Sequence, residues 1–271
     1  MNERIQRLRK ESFEAIPRLS IERALIETEF YKEHQGKYST PVLRALVFKE
    51  LCVKKTIYIG DDELIVGERG PFPKSVSTFP ELTCHSAEDL HILNNRDMTS
   101  FKISDTDIER YAEEVVPFWQ GRSMRDRVFS QVPEAWAKAY KAGLFTEFME
   151  QRAAGHTTLD NTIYQKGMLD FKADIARALD RLDYLKDNEA TQKAEALKAM
   201  DIACDAAIVF AERHADLAQE MAAQEKDAQR KKELETIAAV CRRVPANAPE
   251  TLHEALQMYW FVHLGTITEL N

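Results

Sequence analysis

The sequence predicts a mainly α fold carrying a small β hairpin. Three observations lead there: helix punctuation recurs along most of the chain, strand-like residues gather in one place, and an alanine-rich run near the carboxyl end keeps helical spacing over many turns. In order, Ile5, Leu8, Ser12, Phe13 and Ile16 share one face of a first helix, which Pro17 stops and which restarts behind Ser20 as N-cap. Thr40-Pro41 opens the next helix, carrying Val42, Leu43, Leu46 and Leu51. It gives way to Thr56-Ile57-Tyr58-Ile59 and Leu64-Ile65-Val66-Gly67, two short strands about the turn Gly60-Asp61-Asp62.

From Glu68 to about Asn95, Gly70, Pro71, Pro73 and Pro80 punctuate a long structured loop. Ser104 caps a helix through Val116 that Pro117 ends before Trp119, and Pro133 starts a short helix closed by Gly143. Beyond Gly167 the chain is helix-rich. Its long run passes through Met200, Ala203, Cys204, Ala207, Phe210, Ala211, His214 and Met221, and its alanines permit close helix packing. Lys226 to Glu235 is a charge run that reads as a solvated helix face or a corner between helices. Ala255 to Leu264 form an apolar helix whose Tyr259, Trp260 and Phe261 cover more than one face, so it calls for partners on several sides.

With 271 residues and 44% hydrophobic composition, the chain has material for a sizeable core. Lys and Arg total 37 against 45 Asp and Glu, a net charge of -8 that repels a phosphate backbone and argues against nucleic acid as a partner. Cys52, Cys84, Cys204 and Cys241 include no C-x-x-C pair, which leaves reduced structural thiols as the expectation. No run approaches the roughly 20 apolar residues of a membrane span, and a cytoplasmic location is expected.

The richest candidate stretch is Phe145 to Thr157. Around Gly155 it gathers Phe145, Phe148, Glu147, Glu150, Arg152 and His156. Chemistry alone allows two readings: a pocket in which His156 makes a polar contact and Phe148 forms an apolar wall, or a helix end with a surface histidine. Glu88-x-x-His91 and Glu250-x-x-His253 match the spacing of carboxylate-histidine metal ligands, but no bridging glutamates can be assigned, so no metal site is expected. Cys84-His85 does not make a nucleophile pair, because neighbours on extended chain face opposite ways.

Several segments together resemble the amino-terminal part of the glycyl radical enzyme superfamily, which includes pyruvate formate-lyase. They are Ser20-Ile21-Glu22-Arg23-Ala24, Pro41 to Leu46, Asp62 to Glu68, Asn95-Arg96-Asp97, Pro117-Phe118-Trp119 and Gln257 to His263. Phe145 to Thr157 and Thr268-Glu269-Leu270-Asn271 are similar to the branch that dehydrates trans-4-hydroxy-L-proline. Ala154 and Thr158-Leu159-Asp160 depart from its pattern, which leaves sister lyases acting on diols or on C-N or C-S bonds as alternatives.

The resemblance implies that residues 1–271 are the amino-terminal part of a pyruvate formate-lyase-type domain, a helical layer around a ten-stranded barrel whose strands are largely absent here. It implies substrate-pocket roles for Phe148 and His156. It also implies a glycyl radical installed by an S-adenosylmethionine activase, a homodimeric full-length enzyme, and formation of pyrroline-5-carboxylate. The radical glycine and the catalytic cysteine loop are expected downstream of Asn271, so this chain alone is expected to be inactive. A stand-alone helical domain that binds a partner is the contrasting expectation.

Overall fold

The structure, a computed structural model, describes residues 2–145 and 159–269. The chain begins with α1 (Glu3–Glu14), strand β1 (Arg18–Ser20), α2 (Glu22–His34) and α3 (Thr40–Lys54). Strand β2 (Ser75–Ser77) precedes α4 (Ala87–Asn95), α5 (Asp105–Glu114) and three short helices, α6 (Val116–Trp119), α7 (Met124–Phe129) and α8 (Glu134–Lys141). A 3-10 turn (Asp160–Tyr164) then leads into α9 (Met168–Asp180), α10 (Ala190–Gln224), α11 (Ala228–Arg243) and α12 (Leu252–Glu269).

The 35-residue α10 is the spine. Ala211, Ala215, Ala218 and Ala222 repeat along one stripe and are buried; with no side chain beyond a methyl, they let α11 close in through Leu234, Ile237, Ala238 and Cys241. The other flank of α10 receives Phe48 and Cys52 of α3, and Phe261, Leu264 and Ile267 of α12 complete this core. A second core lies between α2, α4, α5 and α6, built on Ala24, Leu90, Ile108, Tyr111 and Trp119. Along α12, Met258, Phe261, Leu264 and Ile267 are buried while Leu252, Leu256 and Tyr259 remain exposed.

The helical expectations survive with shifted edges. Ser104 caps α5 by accepting the Asp107 amide at 3.1 Å, and Gly143 takes φ +72° just beyond α8. Ser20 ends β1 and accepts the Glu22 amide at 3.3 Å, so it serves α2 from one residue before the cap. Pro117 falls in the first turn of α6, where a missing N–H costs nothing, and so begins a helix where a stop was expected. Within the expected loop from Glu68 to Asn95, residues 87–95 are helical: the Ser86 hydroxyl accepts the Asp89 amide and the Asp89 carboxylate accepts the Ser86 amide, a reciprocal box.

The expected hairpin at Thr56–Ile59 and Leu64–Gly67 is not a hairpin. Among the described residues the strands are β1 and β2, which pair in parallel with Leu19 opposite Val76. The reason is how the backbone of 60–69 is satisfied. Arg230 donates to the carbonyls of Gly60 and Glu63, each at 2.8 Å, and Lys55 donates to those of Glu68 and Arg69 at 3.2 and 3.0 Å. The Gln257 amide takes both backbone groups of Val66 at 2.9 and 2.8 Å, while Trp260 donates to Gly67 at 2.8 Å. With distant side chains occupying these groups, no ladder is needed. Gly67 is required at its position, since φ is +124° and a Cβ would lie 2.6 Å from a Leu264 methyl.

His214 sits beneath this segment, 1% exposed, with Nδ1 2.8 Å from the Phe210 carbonyl. Burial lowers its pKa from 6.5 to about 3, with the positive charges of Lys55 and Arg213 adding to the fall and the Phe210 carbonyl opposing it. A depressed histidine pKa means the unfolded chain binds the extra proton. Its stabilising contribution is therefore whole above pH 6.5 and drains away as pH falls toward 3. As pH falls from 6.5 to about 5, the denaturant midpoint of His214→Phe should gain on that of wild type; burial raises the Glu68 carboxyl to about 7 and gives both proteins the same opposing slope, so a difference that stays constant over the interval would remove His214 as a cause.

Candidate functional site

On α2, Arg23 and Glu27 are one turn apart, on the face that also carries Ala24 and Thr28 into the core. Arg23 is 5% exposed, and its guanidinium is filled by partners from three parts of the chain. It donates to Glu27 at 2.7 Å and to both oxygens of Glu81 at 2.6 and 3.1 Å. It also donates to the carbonyls of Thr268 and Glu269 at 2.8 and 2.9 Å, in the last described turn of α12. Its Cζ stands 4.0 Å from the Phe79 ring centre.

Two carboxylates surround one guanidinium. Burial pushes the Glu27 carboxyl well above its usual range, Arg23 pulls it back, and Glu81 pushes it up again. Burial lowers Arg23, but Glu27 and Glu81 outweigh that, so the guanidinium stays charged. Nearby, burial and the same two glutamates push the Tyr31 phenol up to about 12. Trp119 joins the cluster indirectly, donating at 2.8 Å to the Thr28 hydroxyl, which itself donates to the Ala24 carbonyl at 2.5 Å.

The cluster forms the floor of a cavity of about 520 Å³ between α2, α3, the 81–82 stretch, α6, α7 and the end of α12. Arg23, Tyr31, Arg44, Glu81, Phe118 and Glu269 give it both charged and apolar walls, and Arg44 pairs with the Glu269 carboxylate across its rim. Such a lining can orient a small polar molecule by hydrogen bonds. The same floor seats the next stretch of chain: the amides of Met124 and Arg125 donate to the carbonyls of Glu81 and Leu82 at 2.8 and 3.0 Å. Arg125 then donates to the Tyr140 hydroxyl at 2.9 Å, and Tyr140 and Trp136 close on Phe145 with ring centres 6.0 and 5.5 Å away.

Phe148 and His156, the residues expected in the pocket, lie outside the described residues; Phe145 is the last described residue before them. Sequence reasoning passed over Arg23, Glu27 and Glu81. The available signal was an Arg–Glu pair at i, i+4 on the apolar face of α2, among Ile21, Ala24 and Thr28. The second Glu-x-x-His pair is otherwise engaged: His253 Nε2 lies 2.7 Å from the Leu64 carbonyl, and Glu250 pairs with Arg243. Among the described residues no group of three or more His, Cys, Asp or Glu side chains is placed to hold a metal ion. No described helix is long and apolar enough to cross a membrane.

Cys52, Cys204 and Cys241 are packed into the cores and Cys84 against the second one, and burial pushes their thiols up to about 12, 11, 12 and 11 respectively. None lines the cavity, so the cysteines present do not fit a thiol that reacts with substrate.

The family of pyruvate formate lyase-like proteins matches residues 1–271. The chain belongs to that family. It is 49% identical over 269 residues to trans-4-hydroxy-L-proline dehydratase of Clostridioides difficile, covering 99% of this chain and 34% of that protein. It is 31% identical to isethionate sulfite-lyase of Nitratidesulfovibrio vulgaris, covering 92% of this chain and 31% of that one. A crystal structure of the Clostridioides difficile dehydratase with trans-4-hydroxy-L-proline bound superposes with a TM-score of 0.93 over 99% of this chain and 34% of that one. Glycerol-bound, B12-independent glycerol dehydratase from Clostridium butyricum superposes at 0.90 with 29% identity, again covering 99% and 34%. The chain thus spans about a third of its relatives' length and matches their amino-terminal, helical portion.

Removing the guanidinium strands Glu27 and Glu81 and leaves the carbonyls of Thr268 and Glu269 without this donor. Arg23→Met is expected to cost about 3 to 5 kcal/mol of unfolding free energy, read from urea midpoints. A loss below about 1 kcal/mol would mean that the pairing barely exceeds its desolvation cost.

Proposed function

We propose that these 271 residues are the amino-terminal part of a pyruvate formate-lyase-type domain in a glycyl radical dehydratase. Its substrate is trans-4-hydroxy-L-proline and its product pyrroline-5-carboxylate. The observation that carries this reading is the 49% identity to a hydroxyproline dehydratase, set against 31% for a family member acting on isethionate. The family's glycyl radical supplies hydrogen removal from carbon, and this chain's cysteines do not relay it. What the chain contributes is a wall: it binds, orients and keeps water out.

In this reading Phe148 packs on the pyrrolidine ring and His156 makes a polar contact with the substrate. The partners are a small molecule, an S-adenosylmethionine activase that installs the radical, and a second copy in the full-length enzyme. The compartment is the cytoplasm. The net charge of -8 supports the exclusion of nucleic acid.

The test is to express the full reading frame, activate it anaerobically with its activase and offer hydroxyproline, glycerol, propanediol and isethionate. Dehydration of hydroxyproline alone is expected. Phe148→Ala and His156→Ala should each lower kcat/KM by about 10-fold or more at unchanged radical content. Turnover of glycerol, propanediol or isethionate in place of hydroxyproline would assign the chain to a sister lyase.

A further inference from the structure

We propose that Arg23 is a positioning residue for the reaction: its single guanidinium holds in register two stretches of chain, the end of α12 and the 124–145 arm, on either side of one cavity. This rests on the reading above, in which residues 146–158 carry substrate contacts and the chain runs on past α12.

The first hold is direct. The carbonyls of Thr268 and Glu269 accept from Arg23, so the last described turn of α12 is tied directly to α2. The second passes through Glu81. Its carboxylate takes two N–H bonds from Arg23, and its backbone carbonyl, with that of Leu82, receives the amides of Met124 and Arg125. Among the described residues, none in α7 or α8 is fully buried. The arm's root is at Ser123, which is 0% exposed, and its order is passed outward by Arg125 to Tyr140 and from Tyr140 to Phe145. A planar fork can serve both directions together; an ammonium, a compact charge, cannot reproduce that geometry.

A control residue exists in the same molecule. Arg230 is also a buried arginine that binds two backbone carbonyls, those of Gly60 and Glu63, and a glutamate, Glu233, yet it has no place in the cavity. Arg230→Lys therefore imposes a comparable kind of folding damage away from the cavity.

The experiment compares wild type, Arg23→Lys and Arg230→Lys as full-length protein, by amide hydrogen exchange and, after activation, by kinetics normalised to radical content. Arg23→Lys is expected to speed exchange in both 124–145 and 264–269 and to raise KM for hydroxyproline by about 10-fold at unchanged radical per chain. Arg230→Lys is expected to speed exchange around 60–69 and leave KM within about 2-fold. Unchanged exchange in either of the two stretches in Arg23→Lys overturns the proposal whatever the substrate. Faster exchange with an unchanged KM overturns it too, reducing Arg23 to a stabilising role. If exchange responds as expected but the wild type turns over a different substrate, the hydroxyproline reading fails and the positioning role is judged by KM for that substrate.

Discussion

A guanidinium removed from water must find an acceptor for each of its N–H groups, and around Arg23 that demand sets the geometry of a large part of the molecule. Two carboxylates and two carbonyls of α12 converge on it from α2, the 81–82 stretch and α12. Because the burial cost is severe when any partner is missing, the arrangement is met in full or not at all. The second core, with Trp119 fixed through Thr28 to the same turn of α2, is thereby locked to the end of α12. A cavity with mixed charged and apolar walls is the geometric remainder.

The same device recurs where irregular chain crosses the helical layer. Residues 60–69 form no ladder, yet their backbone groups are met by Lys55 just past α3, Arg230 of α11, and Gln257 and Trp260 of α12. Buried donors reaching over long sequence separations replace secondary structure there. Lys55 shows the cost: burial pulls its ammonium down to about 8 although it holds two carbonyls. Gly67 and His214 lie in the same contact, so packing around Leu264 joins this segment to α12 as well.

Local signals were legible because caps, prolines and periodicity act within one turn. Ser104, Thr40-Pro41, Gly143 and the alanine stripe of α10 are all of that kind, and the structure has the helices they mark. Helix α4 was marked too, by Ser86 and Asp89, but the prolines before it masked the signal. The hairpin was misread because Ile57, Ile59, Ile65 and Val66 look like strand residues, while the partners that satisfy their neighbourhood lie as far as 193 residues away. Arg23 and Glu27 drew no notice in the sequence, since what gathers around them, Glu81 and the carbonyls at 268 and 269, is distant along the chain. Phe148 and His156 came from family resemblance, and they fall outside the described residues.

The family shares this helical portion across enzymes with different substrates, at TM-scores of 0.93 and 0.90 for two dehydratases. A scaffold common to them must be held by interactions that do not depend on the substrate, and the Arg23 cluster is built in that way. The most direct test of its cooperativity is a double-mutant cycle between Arg23→Met and Glu81→Gln, followed by equilibrium unfolding. One interlocked cluster predicts a coupling of about 1 to 3 kcal/mol, whereas additivity within about 0.3 kcal/mol would contradict it.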